Sequence, residues 1–440
     1  MARPSRAREL AVWANGLRVG TWRLPARGTM EFAYDEAWLG ADEARPLSLS
    51  LPLTFEARPQ RGAKVEAYFD NLLPDSDPIR RRIQARFHTD TRGAFDLLAA
   101  IGRDCVGAVQ LLPADEPPAD IRRVEAQPLN EAAIERDLSG ITSTAAPVPE
   151  EQEFRISIAG AQEKTAFLRH GNRWCRPVGS TPTTHIFKLP LGLVGNRQAD
   201  MRTSVENEWL CARIAREFGL PVAHCEIEEF GAHKVLVVER FDRQLHSSGR
   251  YWLRLMQEDF AQATGTPWHR KYQSDGGPGL LDIASILRGS VEAQRDIETL
   301  FRAQLVFYLL AATDGHAKNF SIRILPAGRF QLTPLYDVLS AWPVIGKRAN
   351  EIAPEKVKLA MAVPGERPRY LIKSIQRRHF DTLAKKLGLG ATSESLIDET
   401  LARTDAVIDA VQRGLPRGFP QALLDRILAG VRGARRSLRQ

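Results

Sequence analysis

Asp314 and Asn319 stand five residues apart in the segment TDGHAKNF. In a D-x-x-x-x-N loop at that interval, the carboxylate takes the proton of an attacking hydroxyl and the amide oxygen ligates Mg2+. Asp-Gly and Asn also suit a polar turn behind a helix, so the pair alone fits either use. Asp337, in LTPLYDVLSAWP, falls at an expected strand end, where a second metal ligand belongs. Upstream lies SIAGAQEK, residues 157–164, expected to follow a strand and built of small residues around Gly160. Its backbone N–H groups, from Ala159, Gly160, Ala161, Gln162, Glu163 and Lys164, suit a phosphate cradle. It is neither a Walker A loop nor G-x-G-x-x-G, and a tight β-turn fits it as well. Lys188 closes THIFKLP as a point charge for the α and β phosphates, with Glu208 or Glu206 of the following helix as its carboxylate partner. A solvated strand end is the other use for such a lysine. In VVERFDR, between two lobes, the backbone of Glu239 and Phe241 is placed to meet adenine, although a plain strand end fits equally. Cradle, cation, base and metal ligands follow one another in the order that ATP- and Mg2+-dependent phosphoryl transfer requires.

Composition sharpens the question put to each lysine. Of 61 basic residues, 12 are lysine and 49 arginine, and Lys164 and Lys188 are the only lysines in residues 67–233. Positive charge is generally supplied by arginine, so a lysine marks a particular need. The net charge of +8 favours polyanionic partners without choosing one. The longest apolar run, LVFYLLAA at residues 305–312, is far short of the ~20 residues of a membrane span. The basic N-terminus is followed by no apolar stretch, so the expected location is cytoplasmic, with no membrane partner. Four cysteines without a C-x-x-C pair and nine histidines without ligand spacing predict neither a disulfide framework nor a structural zinc site.

The elements that must hold these residues divide the 440-residue chain into two or three packed units. Residues 1–112 read as a small α+β unit for structure or docking. It has a hairpin at Asn15-Gly16, a period-two strand in RPLSLSLPL (residues 45–53), and a helix start with Asp77 as N-cap and Pro78 first in the helix. Residues 113–153 read as a linker with a short helix at 129–138, the boundary falling within 139–153. Residues 154–241 are strand-rich (FRISIAG, KTAFLRH, NRWCRP, THIFKLP, HKVLVVERFDR), with one helix at 204–218. Residues 242–440 are mainly helical, and the most apolar helix, 296–312, runs into TDGHAKNF. The fold class is therefore α+β, and a nucleotide fits the cleft between two lobes.

The segments RPLSLSLPL, FDNLLPDS, DLLAAIGRDCVGAV, FRISIAGAQEKTA, TPTTHIFKLP, VERFDR, YQSDGGPG, ATDGHAKNFS and LTPLYD resemble the HipA family of bacterial serine/threonine kinase toxins over essentially the whole length. The resemblance implies a bilobal, protein-kinase-like (phosphatidylinositol-kinase-like) fold behind an N-terminal α+β docking domain. It makes Asp314 the catalytic base and Asn319 and Asp337 the Mg2+ ligands, with Lys188 on the ATP phosphates, residues 159–164 as cradle and Glu239, Arg240 and Phe241 as hinge. His316 and Tyr336 would line the nucleotide site. Ser157 matches the family's autophosphorylated serine; about −2 charges there would repel the phosphates of ATP and expel the loop.

The resemblance further implies glutamyl-tRNA synthetase as protein substrate, with translation inhibition, growth arrest and persistence as the outcome. A HipB-like helix-turn-helix antitoxin that binds operator DNA is the implied partner. Lys373, Arg377, Arg378, Lys385 and Lys386, and the terminal Arg432, Arg435, Arg436 and Arg439, are DNA-contact candidates, a solvated helix face being the other use of such runs. Two alternatives carry different expectations: a small-molecule phosphotransferase of the same fold, or a protein that is mainly a transcriptional co-repressor.

Overall fold

A computed structural model of the chain describes residues 8–54, 58–142, 156–390 and 393–440. Asn15 and Gly16 take φ of 48° and 80° and close a two-residue turn, as the Asn-Gly pair predicts. The turn joins β1 (Arg8–Ala14) to β2 (Leu17–Leu24). With β3 (Glu31–Tyr34), β4 (Gln60–Arg61) and β5 (Val109–Pro113) they form an antiparallel sheet in the order β4-β3-β2-β1-β5. Against it lie α1 (Glu36–Leu39), α2 (Ala63–Asp70) and α4 (Ala94–Ile101), with α3 (Asp77–Phe87) packed on α4. Trp22 joins sheet to helices, stacked on Phe69 with centroids 3.9 Å apart and tilted against Phe95 at 4.9 Å.

Two local expectations fail in this unit. RPLSLSLPL is not a strand; Ser48 and Leu51 form only an isolated bridge. Its alternation serves two packing partners instead of two sheet faces. Leu47 and Leu51 enter the core, while Ser50 Oγ donates to Gln262 O at 2.8 Å and Leu49 N–H to Glu258 Oε1 at 2.8 Å, both on the C-terminal lobe. The helix start is displaced by one residue: Ser76 is the N-cap of α3 and Asp77 its first residue.

The second sheet contains β6 (Ala126–Pro128), β7 (Lys164–His170), β8 (Arg173–Pro177), β9 (His185–Lys188), β12 (Cys225–Phe230) and β13 (His233–Glu239), ordered β12-β13-β9-β7-β8-β6; a hairpin of β10 (Gly192–Val194) and β11 (Ala199–Met201) follows β9. Period two is used fully in β13: Val235 and Val237 pack with Ile134 and Leu138 of α5 (Glu131–Thr142), while Leu236 and Val238 pack with Val205 and Ala212 of α6 (Ser204–Glu217). Segment 113–153 is thus more than a linker, since β6 and α5 belong to this lobe. FRISIAG is not a strand where it is described: Ile156 makes one bridge, to Asp104, and β7 begins only at Lys164. Most of the expected boundary at 139–153 lies outside the described residues.

In the last lobe, β14 (Arg243–Leu245) and β15 (Trp252–Arg254) pair, and β16 (Gln257–Asp259), β17 (Ser321–Ile324) and β18 (Phe330–Leu332) form a three-stranded sheet. Helices α7 (Phe260–Ala263), α8 (Leu280–Leu287), α9 (Ala293–Leu310), α10 (Arg377–Leu387), α11 (Ser393–Arg413) and α12 (Gln421–Arg439) complete it, with a short pair, β19 (Lys358–Val363) and β20 (Arg369–Leu371). The run LVFYLLAA is the buried centre of this lobe, and α9 stops where Ala311 turns left-handed, φ 48°. Among the described residues no helix is long and apolar enough to cross a membrane. A single apolar core runs from Trp22 and Tyr68 through Phe260 to α9 and α12, so the N-terminal unit is packed into the C-terminal lobe, not merely appended to it.

Candidate active site

Strands β7 and β9 pair with Lys164 directly opposite Lys188, which sets two lysines side by side at the mouth of one cleft. Lys188 is 4% exposed; its Nζ donates to Glu208 Oε1 at 2.5 Å and to Asp337 Oδ1. The choice between two glutamates is thereby resolved, because Glu206 instead accepts from Lys234 Nζ at 3.0 Å. Burial works against the charge on Lys188, but Asp337 and Glu208 outweigh it and hold its pKa above the ordinary value. The two acids part company. Burial pushes Glu208 up to about 7 despite Lys188, whereas Asp337, against its own burial, is held well below the carboxylate range by Lys188 and Lys164. Lys164, beside both the Lys188 charge and the Gly160 backbone, is lowered to about 8, chiefly by burial.

On the opposite wall, the turn after α9 carries Asp314, whose carboxylate is about half exposed. Asn319 Nδ2 donates to Asp314 O at 2.7 Å, which fixes the amide and leaves its oxygen as the group to offer. Tyr272 Oη donates to Asp314 Oδ1, and its ring stands edge-on to His316, centroids 4.9 Å apart. Burial first, then the Asp314 charge, keeps the Tyr272 hydroxyl protonated; burial lowers His316 and favours the neutral ring. Asp337 follows no strand, contrary to expectation. It lies just beyond an isolated bridge of Leu335 to Val222, at φ 56°, a left-handed conformation that an aspartate tolerates and that commonly occurs at functional sites. Its side chain is 28% exposed.

Asp337 and Asn319 both line the cleft, and a carboxylate and an amide oxygen are the hard donors Mg2+ takes. Among the described residues no group of three or more His, Cys, Asp or Glu is placed to hold a metal unaided. One carboxylate plus an amide fits an ion that completes its shell with water and substrate phosphates.

The cradle is pinned from below by the N-terminal unit. Ser157 is fully buried, with its Oγ donating to Leu72 O at 2.8 Å and its N–H to Asp104 O at 3.0 Å. Gly160 takes φ 113°, a conformation that calls for glycine, and its carbonyl accepts from Asp75 N–H at 2.9 Å. Ala159, Gly160, Ala161 and Lys164 line the cleft. Gln162 and Glu163 turn away from it, Gln162 to Leu189 O at 2.5 Å and Glu163 to Arg82.

At the hinge, the Phe241 and Tyr336 rings lie 5.7 Å apart and with Ile158, Ile186 and Val238 make an apolar slot. Glu239 also lines the cleft. The Arg240 guanidinium does not serve it. Buried with Asp242 at 2.8 Å and Asp104 at 3.4 Å, it belongs to a network with Arg243 and Arg254 that ties the hinge to the N-terminal unit.

Sequence reasoning missed the other half of the wall. Asn71, Leu72 and Asp75, all from FDNLLPDS, line the cleft with Lys271, so a unit read as unconnected with catalysis builds part of the site. The polar residues of FDNLLPDS were a usable signal. So was Lys271 itself, the only lysine in residues 235–317. Lys318, within TDGHAKNF, also lines the cleft but spends its ammonium on protein groups: its Nζ donates to Asn71 O, Asn71 Oδ1 and Asp259 Oδ2 at 3.0, 2.8 and 3.1 Å. The basic DNA-contact candidates stand apart from the cleft lining. Lys373, Arg378, Lys385 and Lys386 are exposed, and Arg377 pairs with Asp398 at 2.5 Å.

Residues 10–112 match the HipA N-terminal domain, and residues 156–409 the HipA-like C-terminal domain. The "Putative kinase Y4mE" of Sinorhizobium fredii is 35% identical over 390 residues, covering 87% of this chain and 86% of that protein. The "Serine/threonine-protein kinase toxin HipA" of Shewanella oneidensis is 28% identical over 309 residues, 67% of this chain and 66% of the relative. A chain in the solved complex of the Shewanella oneidensis toxin-antitoxin system HipA, HipB and its operator DNA superimposes with a TM-score of 0.77 at 21% identity, covering 98% of this chain and 97% of that one. The fold is shared end to end, α+β and kinase-like, and with both family domains present this chain belongs to the HipA family of kinases.

Proposed function

We propose that this chain is the toxin of a type II toxin-antitoxin pair, an ATP- and Mg2+-dependent serine/threonine protein kinase. The observation that carries it is the convergence of Lys188, Glu208 and Asp337 on the cleft that also holds Asp314 and Asn319. Asp314 accepts the proton of a serine or threonine hydroxyl as that oxygen attacks the γ-phosphorus. Lys188, oriented by Glu208, holds the nucleotide phosphates, and the Phe241–Tyr336 slot takes the base. Mg2+, held by Asn319 and Asp337, would neutralise charge on the phosphate oxygens.

A protein acceptor is supported by the name of the Shewanella relative. Glutamyl-tRNA synthetase is the substrate we propose, which places the action in the cytoplasm and makes translation the process inhibited. A HipB-like antitoxin and operator DNA are the proposed partners, a HipB-bound and DNA-bound assembly being known for the structural relative; the exposed Lys373, Arg378, Lys385 and Lys386 are available to DNA phosphates. Self-inactivation at Ser157 requires that serine to leave its seat on Leu72 first. Once phosphorylated it could not return, because a doubly charged group has no place in a fully buried site facing a carbonyl.

The test is phosphoproteomics after expression of wild type and Asp314→Ala. Phosphorylated glutamyl-tRNA synthetase in the first sample alone is expected; its absence, beside other new phosphoproteins, would overturn the substrate and leave the kinase.

A further inference from the structure

Two lysines meet the catalytic segment from beneath, and they spend their protons differently. An ammonium group has three donors. Lys318 directs all three into Asn71 and Asp259. Lys271, among the described residues, donates a hydrogen bond only to Asp75 Oδ2, at 2.9 Å, and is 14% exposed on the cleft wall. Its Nζ also stands 5.8 Å from the centroid of the Tyr272 ring, and that one hydrogen bond leaves it donor capacity for a ligand.

Its position is fixed from both sides. The Lys271 carbonyl accepts from Ala317 N–H at 3.4 Å, and the next residue, Tyr272, bonds to Asp314. Asp75 in turn touches three parts of this wall: its N–H bonds to Gly160 of the cradle, its Oδ2 to Lys271, and its Oδ1 lies 3.7 Å from Lys318 Nζ. That Oδ1 is buried and accepts no hydrogen bond among the described residues. Lys318 and Lys271 hold the Asp75 carboxyl below its ordinary range against the effect of burial, so it stays ionised between them.

Lys188 and Lys164 serve the strand side of the cleft. A triphosphate that runs from them toward Asp314 carries its terminal phosphoryl to the wall where Lys271 stands. We propose that the Lys271 ammonium, aimed by Asp75 of the N-terminal domain, grips the γ-phosphoryl group of the nucleotide. Lys271 is then a catalytic residue and Asp75 a positioning residue, and the N-terminal domain completes the phosphate site. The proposal rests on the nucleotide-binding reading above.

Binding rather than turnover separates the possibilities. Affinities for Mg-AMP-PNP and Mg-ADP are measured by calorimetry on the full chain, with thermal melting to confirm folding. Lys271→Ala is expected to weaken Mg-AMP-PNP by about tenfold, the loss typical of one charge-assisted hydrogen bond, and to leave Mg-ADP within about twofold. Asp75→Asn should move the same ratio in the same direction, with the double variant no worse than Lys271→Ala alone, and Lys271→Arg should restore most of the difference. An unchanged ratio in Lys271→Ala, or an equal loss for both nucleotides, would overturn the assignment and leave a plain interdomain ion pair. Wild type that binds neither nucleotide would overturn the nucleotide-binding reading, and this proposal with it.

Discussion

Lys188 and Lys318 are buried alike, at 4% and 5% exposure, and do opposite work. Lys188 meets two carboxylates, of which Asp337 stays open to the cleft. Lys318, in the TDGHAKNF turn, spends its donors on protein groups and binds the turn to Asn71 of the N-terminal domain and Asp259 of the C-terminal lobe. Where this chain buries a lysine it uses a compact, multiply donating cation, and a phosphate site is only one use of such a group. Lys188 joins the two lobes across the cleft, whereas Lys318 joins the C-terminal lobe to the N-terminal domain.

The largest expected effect breaks that comparison on activity. Lys188→Met should lower phosphotransfer by about two to three orders of magnitude, as loss of a preorganised charge does, while the fold survives because Glu208, already raised by burial, takes up a proton. Lys318→Met leaves Asp259 and Asn71 without their partner and should lower the free energy of unfolding by about 3–5 kcal/mol, measured by urea titration. Equal melting behaviour in the two variants would remove the distinction.

Next is the cradle's seat on the N-terminal domain. Ser157→Asp should abolish measurable nucleotide binding, since a carboxylate cannot occupy the position facing Leu72 O. Ser157→Ala loses one hydrogen bond and should cost only about 1 kcal/mol of stability. If both variants bind nucleotide like wild type, the cradle does not depend on that contact.

The smallest effect separates the two strand lysines. With its pKa lowered to about 8, Lys164 sheds its proton as pH rises through that value, whereas Lys188, raised, keeps its own. Less positive charge then faces the phosphates, so the Kd for Mg-ADP should rise by a few fold between pH 7 and 9.5. Lys164→Arg, which stays charged, should flatten the profile. A flat wild-type profile would show that Lys164 does not face the phosphates.

What could be read from residues alone follows the range of the interactions. The Asn15-Gly16 hairpin and the helix at 204–217 are local, and their turn chemistry and spacing announce them. Asp314, Asn319, Asp337 and Lys188 could be singled out because phosphotransfer demands those types in that order, and the structure brings them to one cleft; the matching segments named the family. Contacts between segments far apart were not legible. The polar residues of FDNLLPDS hint at a site, but nothing in them points to a partner 247 residues onward, and RPLSLSLPL alternates because it separates two partners, a pattern indistinguishable from a strand. The burial of Ser157 depends likewise on Leu72, 85 residues earlier.

The most direct test is transfer of label from [γ-32P]ATP and Mg2+ to serine or threonine in protein by the purified chain. Wild type should incorporate label, whereas folded Asp314→Ala and Lys188→Met should not. Equal labelling by Asp314→Ala, or none by wild type that is folded and free of prior phosphate, would contradict the assignment of this cleft as the kinase site.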